Sequence, residues 1–330
     1  MKISILQENL TKALNHASKA VSNRPNIPIL ANILIEAKGG KVRLAATNLD
    51  ISVNTWIGAD IAEEGEVTVS AKLLTEFVST LKSGKIELIQ VGNTLEVKSV
   101  DNRAEFNIIP AGDFPTIPQI NGDPLIRCNA MGFADAVAQT AFATALDDSR
   151  PVLTGLLLEA TERKMSLIGV DGFRLSKKTI SLEKGTEEDF NEVIPAKSLS
   201  ELEKIITDVS EKDDVLEIYE LESKNQMVFK VANTEFSTRI IEGEFPDYTQ
   251  IMPKGKNTGF EVLKSELGTA VKIAGIFARN VIGNKARFSV DPEAKTLELR
   301  ANVVDLGNNE SKVAISKGFG DKVETAYNIK

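Results

Sequence analysis

The chain has 330 residues, 42% hydrophobic and 26% charged, which suits a globular protein with room for two or three folded domains. No run approaches the ~20 apolar residues of a membrane-crossing helix, and residues 1–8 turn polar too early for a secretory leader, so a cytoplasmic protein is expected. The net charge of −8 ordinarily disfavours nucleic acid. The single cysteine, Cys128, excludes an internal disulfide and a cysteine-cluster zinc site, and reads as a buried structural thiol.

The predicted elements open with a strand over 2–6 and a helix over 7–21. In that helix Leu10, Ala13, Leu14, Ala17 and Val21 recur at helical spacing, with Leu14, Ala17 and Val21 turned to the core. After Arg24-Pro25, β-prone runs at 33–37 and 42–46 flank Gly39-Gly40, the pattern of a hairpin. Strands at 51–57 and 66–69 lead to a helix over 71–81, which Ser70 is placed to cap. A second hairpin, 86–91 and 94–100 around Gly92-Asn93, precedes a strand over 104–109 and a segment ending in Phe114-Pro115.

From about Leu125 this order is replayed. A helix over 131–146 precedes Arg150-Pro151, as the first helix precedes Arg24-Pro25. Strands follow at 155–160, 165–170 and 174–180, then a helix from Ala196, strands at 215–221, 226–232 and 236–241, and a second Phe-Pro at 245–246. A third round starts near Phe260 with a helix over 263–279 and strands at 287–290, 296–301, 312–316 and 323–329. The landmark of the repetition is Ala71-Lys72 against Ala196-Lys197, each pair preceded by an apolar strand end and followed by an amphipathic run; Ile329-Lys330 is a third trace. So long a period means duplicated domains rather than a solenoid. The expectation is an α+β protein of three repeated domains, 1–122, 123–254 and 255–330, each with two helices packed on antiparallel sheets and the third cut short at its C-terminus.

No enzyme constellation stands out. His16 lies alone in a basic helix and is a poor general base, and the glycines form no phosphate-cradling loop. Asp147-Asp148 and Asp213-Asp214 would suit a metal-dependent nuclease, but read more simply as solvated turn charges. The lysines say more. Residues 7–24 carry Lys12, Lys19 and Arg24 against Glu8, and residues 263–279 carry Lys264, Lys272 and Arg279 against Glu266, so both helices are basic in an acidic chain. Together with Lys72, Lys82, Lys197 and Lys204 they would line one surface if equivalent helices of related units face a common axis; ordinary solvated helix faces are the plainer reading. Such a lining fits a phosphate backbone, held without reading bases and released by salt. No cofactor and no metal site is expected.

Blocks spread along the chain carry a family resemblance: Arg24-Pro25-Asn26-Ile27-Pro28-Ile29-Leu30, Ala46-Thr47-Asn48-Leu49-Asp50, residues 110–115, residues 149–155, Asp171-Gly172-Phe173-Arg174-Leu175, Ile194-Pro195-Ala196-Lys197 and Phe245-Pro246-Asp247-Tyr248. They resemble the beta subunit of bacterial DNA polymerase III, the sliding clamp family. The resemblance implies the DNA clamp fold, with paired helices inside and sheets outside, and a head-to-tail homodimer encircling duplex DNA. It implies a non-catalytic processivity factor that tethers the DNA polymerase III catalytic subunit, is placed by a clamp loader, and docks other proteins bearing clamp-binding motifs.

The resemblance also assigns residues. Arg24, Lys72, Arg150 and Lys197 would face DNA. Leu153, Val170, Gly172, Phe173, Arg174, Leu175, Pro246 and Ile251 would form a peptide-binding pocket between the second and third domains. Ala104 and Phe106 would meet Ile273, Ile276 and Phe277 of a second subunit, the last three sharing one helix face by their i, i+3, i+4 spacing. Phe173 stands where many relatives have histidine and Val170 where many have threonine, so the pocket is expected to be more apolar. A Met-Pro-Met-like tail that forms one pocket wall in the family is not in this sequence, which bears on peptide binding, and the shortened third domain leaves open a clamp-like interaction scaffold that closes no ring.

Overall fold

The computed structural model describes residues 1–22, 25–117, 119–186, 189–221, 225–279, 283–303 and 307–329. They form two compact units, Met1–Phe245 and Pro246–Lys330.

The first unit holds two rounds of one plan. Round one runs β1 (Lys2–Leu6), α1 (Gln7–Ser18), β2 (Asn32–Lys38), β3 (Lys41–Thr47), β4 (Ile51–Gly58), β5 (Asp60–Glu63), β6 (Gly65–Ser70), α2 (Ala71–Thr80), β7 (Lys85–Val91), β8 (Thr94–Lys98) and β9 (Arg103–Ile109). Round two runs β10 (Ile126–Asn129), α3 (Ala130–Thr140), β11 (Gly155–Thr161), β12 (Lys164–Val170), β13 (Leu175–Lys184), β14 (Phe190–Pro195), α4 (Ala196–Val209), β15 (Val215–Leu221), β16 (Gln226–Val231) and β17 (Thr234–Arg239). The pairings repeat with the order. β2 lies between β3 and β6 as β11 lies between β12 and β14, and β1 joins β7 as β10 joins β15, all antiparallel.

Local chemistry explains the turns. Gly39 and Gly40 take φ of +58° and +77°, the conformation a two-residue hairpin requires, and this sets Lys38 opposite Lys41. The helices bury one stripe each: Leu10, Leu14 and Ala17 of α1, Leu74 and Val78 of α2, Phe133 and Val137 of α3, and Leu199, Leu202 and Ile206 of α4 all lie in one core that runs through both rounds. Phe133 and Phe229 meet in it with ring centroids 5.8 Å apart. The outer face of β2 and β3 is covered too, because Leu34 and Ala45 pack under Ile117, Ala111 and Phe114. The first Phe-Pro segment is thus a lid on the sheet.

β17 pairs with β4, setting Phe236 opposite Val53 and Thr238 opposite Ile51, so one sheet continues across both rounds. The hydroxyls of Thr55 and Thr234 meet across this seam at 3.0 Å.

Three expectations need correction. α1 ends at Ser18, not residue 21; the chain turns back so that the Ser22 N–H donates to the Leu30 carbonyl, and Val21 packs half-buried from the turn. α3 ends at Thr140, not residue 146. The Thr140 hydroxyl donates to the Ala136 carbonyl at 2.7 Å, a back-bond that competes with the helix, and a 3-10 turn follows. Ser70 occupies the cap position of α2 but makes no capping bond; the side chain that does cap is Asn129, which accepts from the Gly132 N–H of α3 at 2.8 Å.

The second unit contains β18 (Gly259–Glu261), α5 (Lys264–Ala278), β19 (Lys285–Asp291), β20 (Thr296–Val303), β21 (Gly307–Ala314), β22 (Lys317–Phe319) and β23 (Val323–Asn328). β19 lies between β20 and β23, the pairing already seen around β2 and β11. Ala270 of α5 packs with Val290, Leu297, Leu299, Val313 and Ile315, and Ala274 and Ala278 pack with Ala286 and Ala301. Alanines at the contact let helix and sheet approach closely. No helix among the described residues is long and apolar enough to cross a membrane.

Candidate functional site

The repeated Ala-Lys pairs become the first two residues of α2 and α4. Each follows directly on a strand, β6 or β14, and the small alanine is buried where strand passes into helix, which turns the next side chain outward. Lys72 and Lys197 are both exposed and have no carboxylate partner among the described residues. α1 lies against α2 and α3 against α4. His16–Asp208 at 2.6 Å and Lys19–Glu201 at 3.7 Å then link α1 to α4, so the helices form one layer.

The basic lining is thinner than the sequence implies. Lys19 and Lys204 share Glu201, and Lys82 pairs with Asp101 at 3.1 Å. Lys12 is exposed too. Lys264, Lys272 and Arg279 are exposed on the second unit. Arg24 lies outside the described residues. Arg150 is exposed, but its guanidinium crosses the Asp171–Arg174 turn: a β-carbon on Gly172 would stand 3.1 Å from its Nη2. Gly172 has φ of +91°, which glycine adopts without strain.

That turn is the best-built part of the expected peptide pocket. Asp171 Oδ1 accepts from the backbone N–H groups of Phe173 and Arg174, both at 2.9 Å, and Oδ2 accepts from Arg174 Nε at 2.9 Å. Burial opposes ionisation of this carboxyl, yet the backbone donors and the guanidinium together hold it below the usual carboxylate range. The arrangement pushes Phe173 out until it is 98% exposed. Arg174 lies 5.8 Å over the Phe142 ring, and Phe142 and Leu146 are themselves exposed. Leu153 and Val170 are buried and Leu175 is half-buried, so they support the surface from below. Sequence reasoning missed Phe142 and Leu146; the signal was an apolar run that looked helical but outlasts its helix. Pro246 and Ile251 belong to the second unit, where both are exposed and Asp247 caps the turn Tyr248–Ile251 by accepting from the Thr249 N–H at 3.0 Å.

The residues expected at the subunit joint divide in two. Residues 103–107 of β9 pair only with β8, and β6 takes only Ile108 and Ile109, so the other edge of 103–107 is open among the described residues. Phe106 is half-buried edge-on against Phe77 of its own unit, 5.6 Å between centroids, and Ala104 is half-buried. On α5, Ile273 and Ile276 are exposed whereas Phe277 packs inward on the alanine cluster.

The paired aspartates make turns. Asp147 accepts from the N–H and the hydroxyl of Ser149, which lowers its pKa, and Asp214 accepts from the Glu211 N–H at 2.9 Å. Among the described residues no three His, Cys, Asp or Glu side chains converge as metal ligands. Cys128 is buried, which pushes its thiol up to about 12 and leaves it no thiolate character.

Residues 1–118 match the model of the DNA polymerase III beta subunit, N-terminal domain, and residues 128–247 that of its central domain. The beta sliding clamp of Synechococcus elongatus is 28% identical over 334 residues, covering 100% of this chain and 88% of the relative. That of Bacillus subtilis is 28% identical over 340 residues with the same coverage. Among solved structures, the DNA polymerase sliding clamp of Bacillus subtilis matches with a TM-score of 0.91 at 26% identity, over 100% of this chain and 87% of that one. The beta subunit from Thermotoga maritima, at 24% identity and a TM-score of 0.88 over 99% and 87% of the two chains, shares the fold. With both rounds of the first unit matched, and relatives matching the chain throughout its length, the chain belongs to the DNA polymerase III beta subunit family, the beta sliding clamps.

Proposed function

We propose that this clamp works in the cytoplasm as a non-catalytic processivity factor, two copies joined head to tail around duplex DNA. Its domains are 1–122, 123–254 and 255–330. A clamp loader places it, and the polymerase catalytic subunit docks through a short hydrophobic motif at the turn bearing Gly172, Phe173 and Arg174. Ala104 and Phe106 of one copy meet Ile273, Ile276 and Phe277 of the other. Lys72 and Lys197 face the duplex.

The observation that carries this reading is the matched pair Lys72 and Lys197, exposed and unpaired at the same position of equivalent helices. Lysines held this way attract phosphates of any sequence, while an acidic remainder, −8 overall, discourages adhesion elsewhere. A scaffold that closes no ring would retain the docking turn but would have no need of that pair.

The test is retention on DNA with a clamp loader present. The protein stays on a closed circle through gel filtration and leaves once the circle is cut. Equal retention on circle and linear DNA would sink the ring. Light scattering gives the companion result, a species of twice 35.8 kDa.

A further inference from the structure

Between the end of α1, the start of β4 and the start of α4 lies a cleft of about 900 Å³, whose wall includes Lys19, Asp50, Lys197, Ser198, Glu201 and Arg239. α4 enters it N-terminus first. Its cap residue is Pro195, which has no side-chain oxygen to offer, so the first N–H groups of a 14-residue helix lack a cap and concentrate partial positive charge.

A second, independent feature lies on the same turn. Ser198, the third residue of α4, is 8% exposed and lines the cleft, and its hydroxyl has no hydrogen-bond partner among the described residues. The rest of the residue is covered, so a partner for this hydroxyl comes from its open side, which is the cleft. Lys197, one residue earlier, also lines it with no carboxylate partner. The acids of the wall are engaged: Glu201 by Lys204 at 2.8 Å and Lys19 at 3.7 Å, and Asp50 by Arg239 at 4.0 Å. The repeat supplies an internal control. Ala196-Lys197-Ser198 of α4 corresponds to Ala71-Lys72-Leu73 of α2, and Leu73 is an exposed apolar side chain that can hold nothing polar.

We infer that the first turn of α4 is a seat for a single phosphate group, held by the free N–H groups of Lys197 and Ser198, the Ser198 hydroxyl and the Lys197 ammonium. The phosphate is either free in solution or one of the duplex backbone; only the second source rests on the clamp reading.

Amide chemical shifts of the full chain, followed by TROSY spectra during titration with inorganic phosphate at constant ionic strength, test the seat. The Lys197 and Ser198 amides shift saturably while Leu73 stays, sodium chloride has no such effect, and Ser198→Ala weakens the response about tenfold, the worth of one hydrogen bond to an anion. No saturable shift, an equal shift with chloride, or a Ser198→Ala protein that titrates like the parent would overturn it. A second arm adds a short duplex. Shifts at Ser198 that phosphate competes away assign the seat to the backbone, and shifts at Lys72 alone assign it to free phosphate. A duplex that moves neither residue counts against the DNA-facing helices, while the phosphate arm still decides the seat.

Discussion

His16 Nε2 stands 2.6 Å from Asp208 Oδ2, and this contact ties α1 of the first round to α4 of the second, residues that lie 192 positions apart in the chain. The imidazole is buried and the carboxylate side chain is 53% exposed, so water screens one end of the pair. Asp208→Asn should therefore cost only about 1 kcal/mol, while His16→Ala, which also opens a hole in the helix layer, should cost about 2–3 kcal/mol. Urea unfolding followed by fluorescence of Trp56, the only tryptophan, reads both, because Trp56 lines the same small cleft as His16 and Asp208.

Glu235 sits on the β4–β17 seam opposite Asn54. Burial raises its pKa, and Lys230, Asn54 and Arg43 only partly offset this. The folded chain thus binds this proton more readily than the unfolded one, so the group's contribution is fully present below the unfolded value near ~4.3 and is lost as pH rises through the folded value. Glu235→Gln should raise Tm at pH 7, with the gain shrinking towards zero below about pH 4. Thermal scans across that range would show equal Tm values at every pH if the carboxylate were indifferent to its surroundings.

Phe173 makes no use of its ring inside the unit that carries it. Phe173→Ala should leave Tm unchanged and weaken binding of a short hydrophobic clamp-binding peptide by more than tenfold, since a buried aromatic anchor is worth about 2 kcal/mol or more at an interface. Gly172→Ala should do both kinds of damage, straining a φ of +91° by about 1–2 kcal/mol and pressing on Arg150. Calorimetric titration beside thermal unfolding separates the two variants.

Lys72→Ala and Lys197→Ala should each lower the slope of log affinity against log salt by about one, and the double change by about two, with no change in sequence preference. Duplex binding by fluorescence anisotropy at several salt concentrations measures this. An unchanged slope in the double variant would remove these lysines from the DNA surface.

The repeat was legible because it rests on landmarks that physics makes hard to hide. Gly39-Gly40 marks a hairpin by backbone freedom, and Ala71-Lys72 and Ala196-Lys197 mark the passage from strand to helix by size and charge. Helix ends were less legible. Nothing in the apolar period of α3 signals that the Thr140 hydroxyl will turn on its own helix, so the helix was expected to reach Leu146, which is instead solvent-facing beyond its end. Short strands such as β5 and β22 were missed because three or four residues carry too little pattern. The ion pairs that neutralise Lys19, Lys82 and Lys204 depend on partners from other elements, and spacing within one helix cannot reveal them.

The seam of β4 with β17 has a mechanical consequence. Rotating one round of the first unit against the other would have to peel Thr234–Thr238 from Ile51–Thr55 and shear the core beneath them, so this joint behaves as a weld rather than a hinge. If the proposed ring opens to admit a duplex, the opening lies outside this seam, and a crosslink placed across β4 and β17 should leave loading speed untouched.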